Sequence, residues 1–92
     1  MRYVVFQLTG QKASTSEARA IVEALIEKHA GRTAMAENSI KFIPERYDPR
    51  SCIGLVRTQK PEIVKAALLL SGGYAINIKG VSGTIKGTER FR

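Results

Sequence analysis

Two amphipathic helical segments separate four short strand-like segments along this chain, and their order restricts the fold more than any other feature. The strand-like segments are rich in β-branched and aromatic residues, are bounded by turn residues, and cover 3–8, 39–43, 51–57 and 74–79. The order strand, helix, strand, strand, helix, strand is typical of a split βαβ arrangement. Right-handed crossovers then place both helices on one face of an antiparallel sheet. The other face of that sheet is expected to be uncovered.

The boundaries of both helices have local signals. Ser14 and Glu17 match a capping box, which predicts that the first helix begins there, and Gly31 is expected to end it. The second helix is predicted to run from Pro61 to Gly72-Gly73. Segments 39–43 and 51–57 should form a hairpin. The fold predicted from these elements is an α+β, ferredoxin-like and RRM-like βαββαβ sandwich, in which two helices cover one face of a four-stranded antiparallel sheet.

Length and composition restrict the class of protein. Ninety-two residues are enough for one domain, so we expect a single α/β sandwich over residues 1–92 with a short basic C-terminal tail from Lys86 to Arg92. Cys52 is the only cysteine and cannot form an internal disulfide. The chain turns polar at Gln7, too early for a signal peptide, and contains no membrane-length apolar run. These features favour a cytoplasmic protein that does not enter a membrane.

The charge balance favours a polyanionic partner. Fifteen Lys and Arg against eight Asp and Glu give a net charge of +7. Most of the excess lies on the predicted hairpin and on the C-terminal segment. The candidate RNA-binding residues are Arg46, Arg50, Arg57, Lys79, Lys86, Arg90 and Arg92, with Lys41 and Lys60 as weaker candidates. The third strand contains no aromatic residue that could stack on a base, so contacts with the RNA backbone are favoured over base recognition.

Signals for catalysis by the chain itself are weak. With one His, one Cys and one Asp, the sequence has no pair of metal ligands at zinc or iron-sulfur spacing. A Cys52–His29 nucleophile would need a strand residue and a helix-end residue to meet. An acylphosphatase is an alternative, but its phosphate loop would have one glycine, Gly10, no arginine, and Glu17 where an anion should bind. A ligand-binding or regulatory module of the same fold is a further alternative, which leaves the positive charge unexplained.

The C-terminal half resembles a known family. Segments 62–70 and 75–86, above all the run Gly-Val-Ser-Gly-Thr-Ile at 80–85, are similar to protein component 2 of archaeal ribonuclease P, in the Pop and Rpp type family of archaeal and eukaryotic subunits. Segments 2–6 and 54–57 resemble the first and third strands of that family. Gly80, Ser82, Gly83 and Thr84 form its candidate structural motif; either RNA contact or a strand-ending turn, with Gly at positive φ, would account for them.

The resemblance implies a function in tRNA processing. Ribonuclease P is an endoribonuclease that removes the 5′ leader from precursor tRNA, and its RNA subunit carries the catalysis with magnesium. This chain would then supply no catalytic residue and bind no cofactor or metal of its own. Its implied partners are the ribonuclease P RNA, precursor tRNA and a TIM-barrel protein, component 3, with which it would form a heterotetramer. We expect the basic surface to neutralise phosphates and stabilise the folded RNA.

Overall fold

The computed structural model describes residues 1–10, 12–70 and 74–92 and contains one antiparallel sheet with two helices. Its elements are β1 (Arg2–Thr9), α1 (Thr15–Glu37), β2 (Lys41–Phe42), β3 (Ile53–Thr58), α2 (Pro61–Leu69) and β4 (Ala75–Ser82). Two 3₁₀ helices, Pro44–Arg46 and Lys86–Phe91, complete the described secondary structure. The strand order is β2-β3-β1-β4, and β2 and β3 form the predicted hairpin. The predicted α+β class and ferredoxin-like arrangement are therefore confirmed.

The main core lies between the sheet and the helices, as the alternation of the strands predicts. Val4, Phe6 and Leu8 of β1 point to this side, together with Phe42 and Val56 from the hairpin. From the helices, the main buried residues are Ala18, Val22, Ile26, Val64, Ala67 and Leu68. The spacing of three and four residues within each helix explains why one stripe is buried while the rest remains polar or exposed.

The capping box at the start of α1 forms as predicted. The Glu17 N–H donates to Ser14 Oγ at 3.2 Å, and the Ser14 N–H donates to Glu17 Oε1 at 3.0 Å. Gly31 interrupts the helix as predicted, because its backbone is non-helical with φ at 87°. The sequence did not predict that a further helical segment follows this kink and continues α1 to Glu37. Met35 packs against the main core, which gives the resumed segment a tertiary contact that a glycine signal alone cannot reveal.

The sheet face opposite the helices is not left open, which corrects the sequence prediction. Val5, Ile53 and Leu55 are buried on this face in a second apolar cluster, and Ile85 and Phe91 pack against it. The segment from Lys86 to Arg92, predicted as a tail, is largely a 3₁₀ helix that lies on this face. We call residues 85–92 the strap. Because Val5 and Leu55 are apolar, exposing them would be costly, and the strap removes them from water.

Smaller differences occur at element ends. Cys52 lies in the turn before β3 with φ at 59°, and its N–H donates to the Asp48 carbonyl at 2.7 Å, so the strand begins at Ile53 rather than at residue 51. Strand β4 begins at Ala75 and extends to Ser82, beyond its predicted end. Helix α2 ends at Leu69, and the predicted glycine end, Gly72-Gly73, lies outside the described residues.

The strap packs tightly on the sheet at Gly80, and this contact can be tested. A Cβ at Gly80 would lie 2.4 to 2.6 Å from three ring atoms of Phe91, whereas a Cβ at Gly83 would have nothing within 4 Å. We expect Gly80→Ala to destabilise the fold by about 1–3 kcal/mol in urea denaturation and Gly83→Ala to have little effect.

The same substitution in a Phe91→Ala background should cost much less, because the ring that would clash is gone. Equal costs in the two backgrounds would contradict the packing of Phe91 on Gly80.

Candidate nucleic-acid interface

Positive charge is distributed unequally between the two layers of the sandwich. The helices α1 and α2 contain four of the 15 basic residues but five of the eight acidic ones. The strands, loops and strap therefore carry eleven basic residues against three acidic ones. The helical layer is close to neutral, and the positive potential comes from the sheet, its loops and the strap.

The strap places the basic C-terminal residues next to the basic hairpin region. Arg92 donates through Nη2 to the backbone carbonyls of Arg46 and Ile53, the latter at 3.2 Å. The guanidinium of Arg90 lies 4.9 Å from the centre of the Phe91 ring, a cation–π contact that orients it beside the sheet. The hairpin region and the C-terminal segment are thus neighbours in space, although more than 30 residues separate Arg46 from the strap in the sequence.

Most of the candidate cations are available to a ligand. Arg46, Arg50, Lys79, Lys86, Arg90 and Arg92 are exposed, and Arg57 is half-buried. Among the described residues, Arg50 is the only one of these seven with a carboxylate within 4 Å: its Nε lies 4.0 Å from Asp48 Oδ1. An exposed pair at this distance contributes little. The cations are therefore not consumed by internal ion pairs.

The candidate cations lie at different edges of the sheet, a difference that the sequence could not show. Arg46 and Arg50 lie on the segment between β2 and β3, whereas Lys79 lies on β4 at the opposite edge of the sheet. Lys79 occupies an irregularity in the pairing with β1, where Val5 is opposite Gly80 and Phe6 is opposite Ile78. Of the weaker candidates, Lys41 lies on β2 opposite Arg57, and Lys60 precedes α2.

Lys12 is a cation that the sequence analysis did not select. Its Nζ donates to the backbone carbonyl of Arg50, which brings the loop after β1 to the β2–β3 segment. No local pattern around Lys12 predicts this contact, because Lys12 and Arg50 are far apart in the sequence and meet only when β1 pairs with β3.

The candidate motif at Gly80 has a structural role. Gly80 allows the Phe91 ring to approach, and Ser82 is buried. The Thr84 N–H donates to Ser82 Oγ at 3.3 Å, and the Gly87 N–H donates to Thr84 Oγ1 at 3.0 Å. These bonds shape the turn from β4 into the strap. Positive φ was expected for the glycines of this motif, but neither Gly80 nor Gly83 adopts it.

The geometry does not favour the acylphosphatase alternative. In the loop after β1, the Glu17 carboxylate already accepts the Ser14 backbone N–H, which a bound phosphate would need. Cys52 is buried and its Sγ lies 3.7 Å from the Pro49 carbonyl, whereas His29 is exposed on α1. Within residues 1–10, 12–70 and 74–92, no three His, Cys, Asp or Glu side chains come together as a metal site would require.

Comparisons with known proteins add no family assignment: no family model matches the chain, and no curated protein matches it significantly. In the part of the chain that the structure describes, neither helix is long and apolar enough to cross a membrane.

The capping box generates a prediction about acid stability. The hydrogen bond from the Ser14 backbone, followed by that from its hydroxyl, lowers the pKa of Glu17 below its usual value. A lowered folded-state pKa stabilises the fold above the unfolded-state pKa, and this stabilisation is lost as the pH falls through the folded-state pKa. Gln in place of Glu17 preserves an acceptor but cannot titrate, so the stability difference between wild type and Glu17→Gln should shrink between about pH 5 and about pH 2.

Thermal unfolding across this range measures the difference. Glu37→Gln is the control, since Glu37 is exposed and accepts no hydrogen bond from a described side chain or backbone group outside the helix. A constant gap between wild type and Glu17→Gln at all pH values would contradict this role of the carboxylate.

Proposed function

We propose that this chain is a protein subunit of ribonuclease P that binds the catalytic RNA and supports its removal of the 5′ leader from precursor tRNA. The RNA subunit carries the chemistry with magnesium, and a TIM-barrel protein subunit is the expected protein partner. The chain contributes positive charge and shape rather than a proton donor or nucleophile. Its site is the basic surface formed by the sheet loops and the strap.

The observation that carries this proposal is the separation of charge between the two layers. Eleven basic residues against three acidic ones lie outside the helices, and the strap holds the C-terminal cations against the hairpin region through Arg92. Exposed cations without internal ion pairs attract a polyanion, and binding releases the counterions condensed on its phosphates. A compactly folded RNA brings its phosphates close together, so such cations reduce the amount of magnesium needed to keep it folded.

The family resemblance narrows the class of RNA. The run at 80–85 and the segments 62–70 and 75–86 are the residues that resemble ribonuclease P component 2. In that family the RNA is the catalyst, so the resemblance assigns the chemistry to the RNA and the binding of RNA to this chain.

The salt dependence of RNA binding tests the basic surface. Arg46, Lys79 and Lys86 are exposed, and their side chains make no hydrogen bond or ion pair with another described residue, so replacing all three by Ala should leave the fold intact. Filter binding of the cognate RNA is measured between about 50 and 200 mM salt. The plot of log affinity against log salt has a negative slope, which should become less steep by about 2–3 units.

The matched control is Arg19→Ala, Lys28→Ala and Lys65→Ala, which removes the same charge from the helical layer. Its slope should equal that of wild type. Equal losses in the two triple variants would mean that net charge, and not this surface, determines binding.

Reconstituted cleavage tests the function itself. With the cognate RNA and the TIM-barrel subunit at low magnesium, adding this chain should raise the rate of precursor tRNA cleavage, because the cations replace magnesium in screening phosphates. The Arg46, Lys79 and Lys86 variant should require more magnesium for the same rate, and the helical-layer control should not. Identical rates with and without the chain would overturn the proposed function.

A further inference from the structure

Three side chains form a row across the sheet face opposite the helices. The backbone register places Lys41 of β2 opposite Arg57 of β3, and Arg57 opposite Tyr3 of β1. Their sequence neighbours Phe42, Val56 and Val4 point into the main core. Because side chains alternate along a strand, Lys41, Arg57 and Tyr3 point to the other face.

The two cations of this row, Lys41 and Arg57, repel each other in the protein without a ligand. Like charges directly opposite each other in an antiparallel pair destabilise the sheet. Among the described residues, neither Lys41 nor Arg57 has a carboxylate within 4 Å. A group of opposite charge placed between them would remove this repulsion.

Arg57 provides a second, independent observation. Its Nε is buried and has no hydrogen-bond partner among the described residues. A buried donor is normally satisfied, because leaving it unpaired sacrifices the hydrogen bond that water would have provided. Arg57 is half-buried and its buried Nε lacks an acceptor, so a ligand that brings an acceptor would satisfy this donor.

The chemistry of the row identifies that ligand. The guanidinium fork of an arginine matches two phosphate oxygens, and a lysine adds a compact charge beside it. Tyr3, which is half-buried, lies directly opposite Arg57 on the next strand, one strand spacing away. Single-stranded RNA is recognised by this combination of a cation for the phosphate and an aromatic surface for the base.

We propose that Lys41, Arg57 and Tyr3 form a binding site for one nucleotide of a single-stranded RNA segment. The phosphate lies between Lys41 and Arg57, and the base stacks on the ring of Tyr3. This inference rests on the proposed function in taking RNA as the ligand. It adds a contact with a base to the backbone contacts that the sequence predicts, and the aromatic residue comes from β1 and not from the third strand.

The test compares a short oligouridylate with an RNA duplex of similar length, using fluorescence anisotropy. Tyr3→Phe preserves the ring and should bind the oligouridylate like wild type, whereas Tyr3→Leu should bind it about tenfold more weakly. Duplex binding should be the same in all three proteins, because paired bases cannot stack on the ring. Binding of the oligouridylate by Tyr3→Leu within about twofold of wild type would overturn the proposal.

The cations are tested in the same assay. Arg57→Gln and Lys41→Gln should each weaken oligouridylate binding several-fold, and Lys28→Gln, which removes one exposed charge from α1, should not. Equal weakening by all three would assign the effect to net charge and overturn the site.

Photocrosslinking keeps the proposal testable even if Tyr3→Leu fails to fold. Wild-type protein is irradiated with an oligonucleotide carrying a single 5-iodouridine, and the crosslinked peptide is identified by mass spectrometry. A crosslink to Tyr3 supports the stacking site, and a crosslink confined to Tyr74 or to the strap overturns it.

Failure of this site and failure of the proposed function give different results. If the chain stimulates precursor tRNA cleavage and Tyr3→Leu matches wild type in cleavage and in oligouridylate binding, the nucleotide site is wrong and the function stands. If oligouridylate binding depends on Tyr3 but the chain does not stimulate cleavage, the nucleotide site stands and ribonuclease P is wrong.

Discussion

Strand β1 is buried on both faces, and the positions of the helices and of the strap follow from this. Val4, Val5 and Phe6 are consecutive and fully buried, so each face of this strand needs an apolar cover. The helices cover Val4 and Phe6, and the strap covers Val5 together with Ile53 and Leu55. Removing these side chains from water stabilises both layers. The strap is therefore part of the core, and its basic residues are held at the sheet because Phe91 packs there.

This packing also decides where the positive charge is presented. The strap leaves Lys86 and Arg90 exposed while its apolar side chains face the sheet, and Arg92 attaches its end to the β2–β3 segment. A basic segment moving independently would lose conformational entropy on binding RNA. Holding the cations in place before binding reduces that loss. The same fold leaves the row of Lys41, Arg57 and Tyr3 on this face. Under the proposed function, phosphate contacts and a base contact would then act together.

Several features could be predicted from local patterns, and the errors have identifiable physical causes. The capping box, the hairpin and the order of elements follow from residues close together in the sequence, and each is present. The break at Gly31 is present as predicted, but the helical segment after it was missed because it is supported by a tertiary contact of Met35. The prediction of an open sheet face was wrong because the apolar side chains of Val5, Ile53 and Leu55 are covered by Phe91. Phe91 is more than 30 residues away from each of them in the sequence.

Local sequence patterns were enough to predict the α+β class, the boundaries that depend on caps and prolines, and the excess of positive charge outside the helices. These are properties of neighbouring residues and of composition, and they do not change with the path of the chain. The folded chain was needed to show that the basic C-terminal segment lies on the sheet, and that Tyr3 shares a face with Arg57 and Lys41. Both depend on the register of strands that are distant in the sequence, and a shift of one residue would turn each of these side chains to the opposite face.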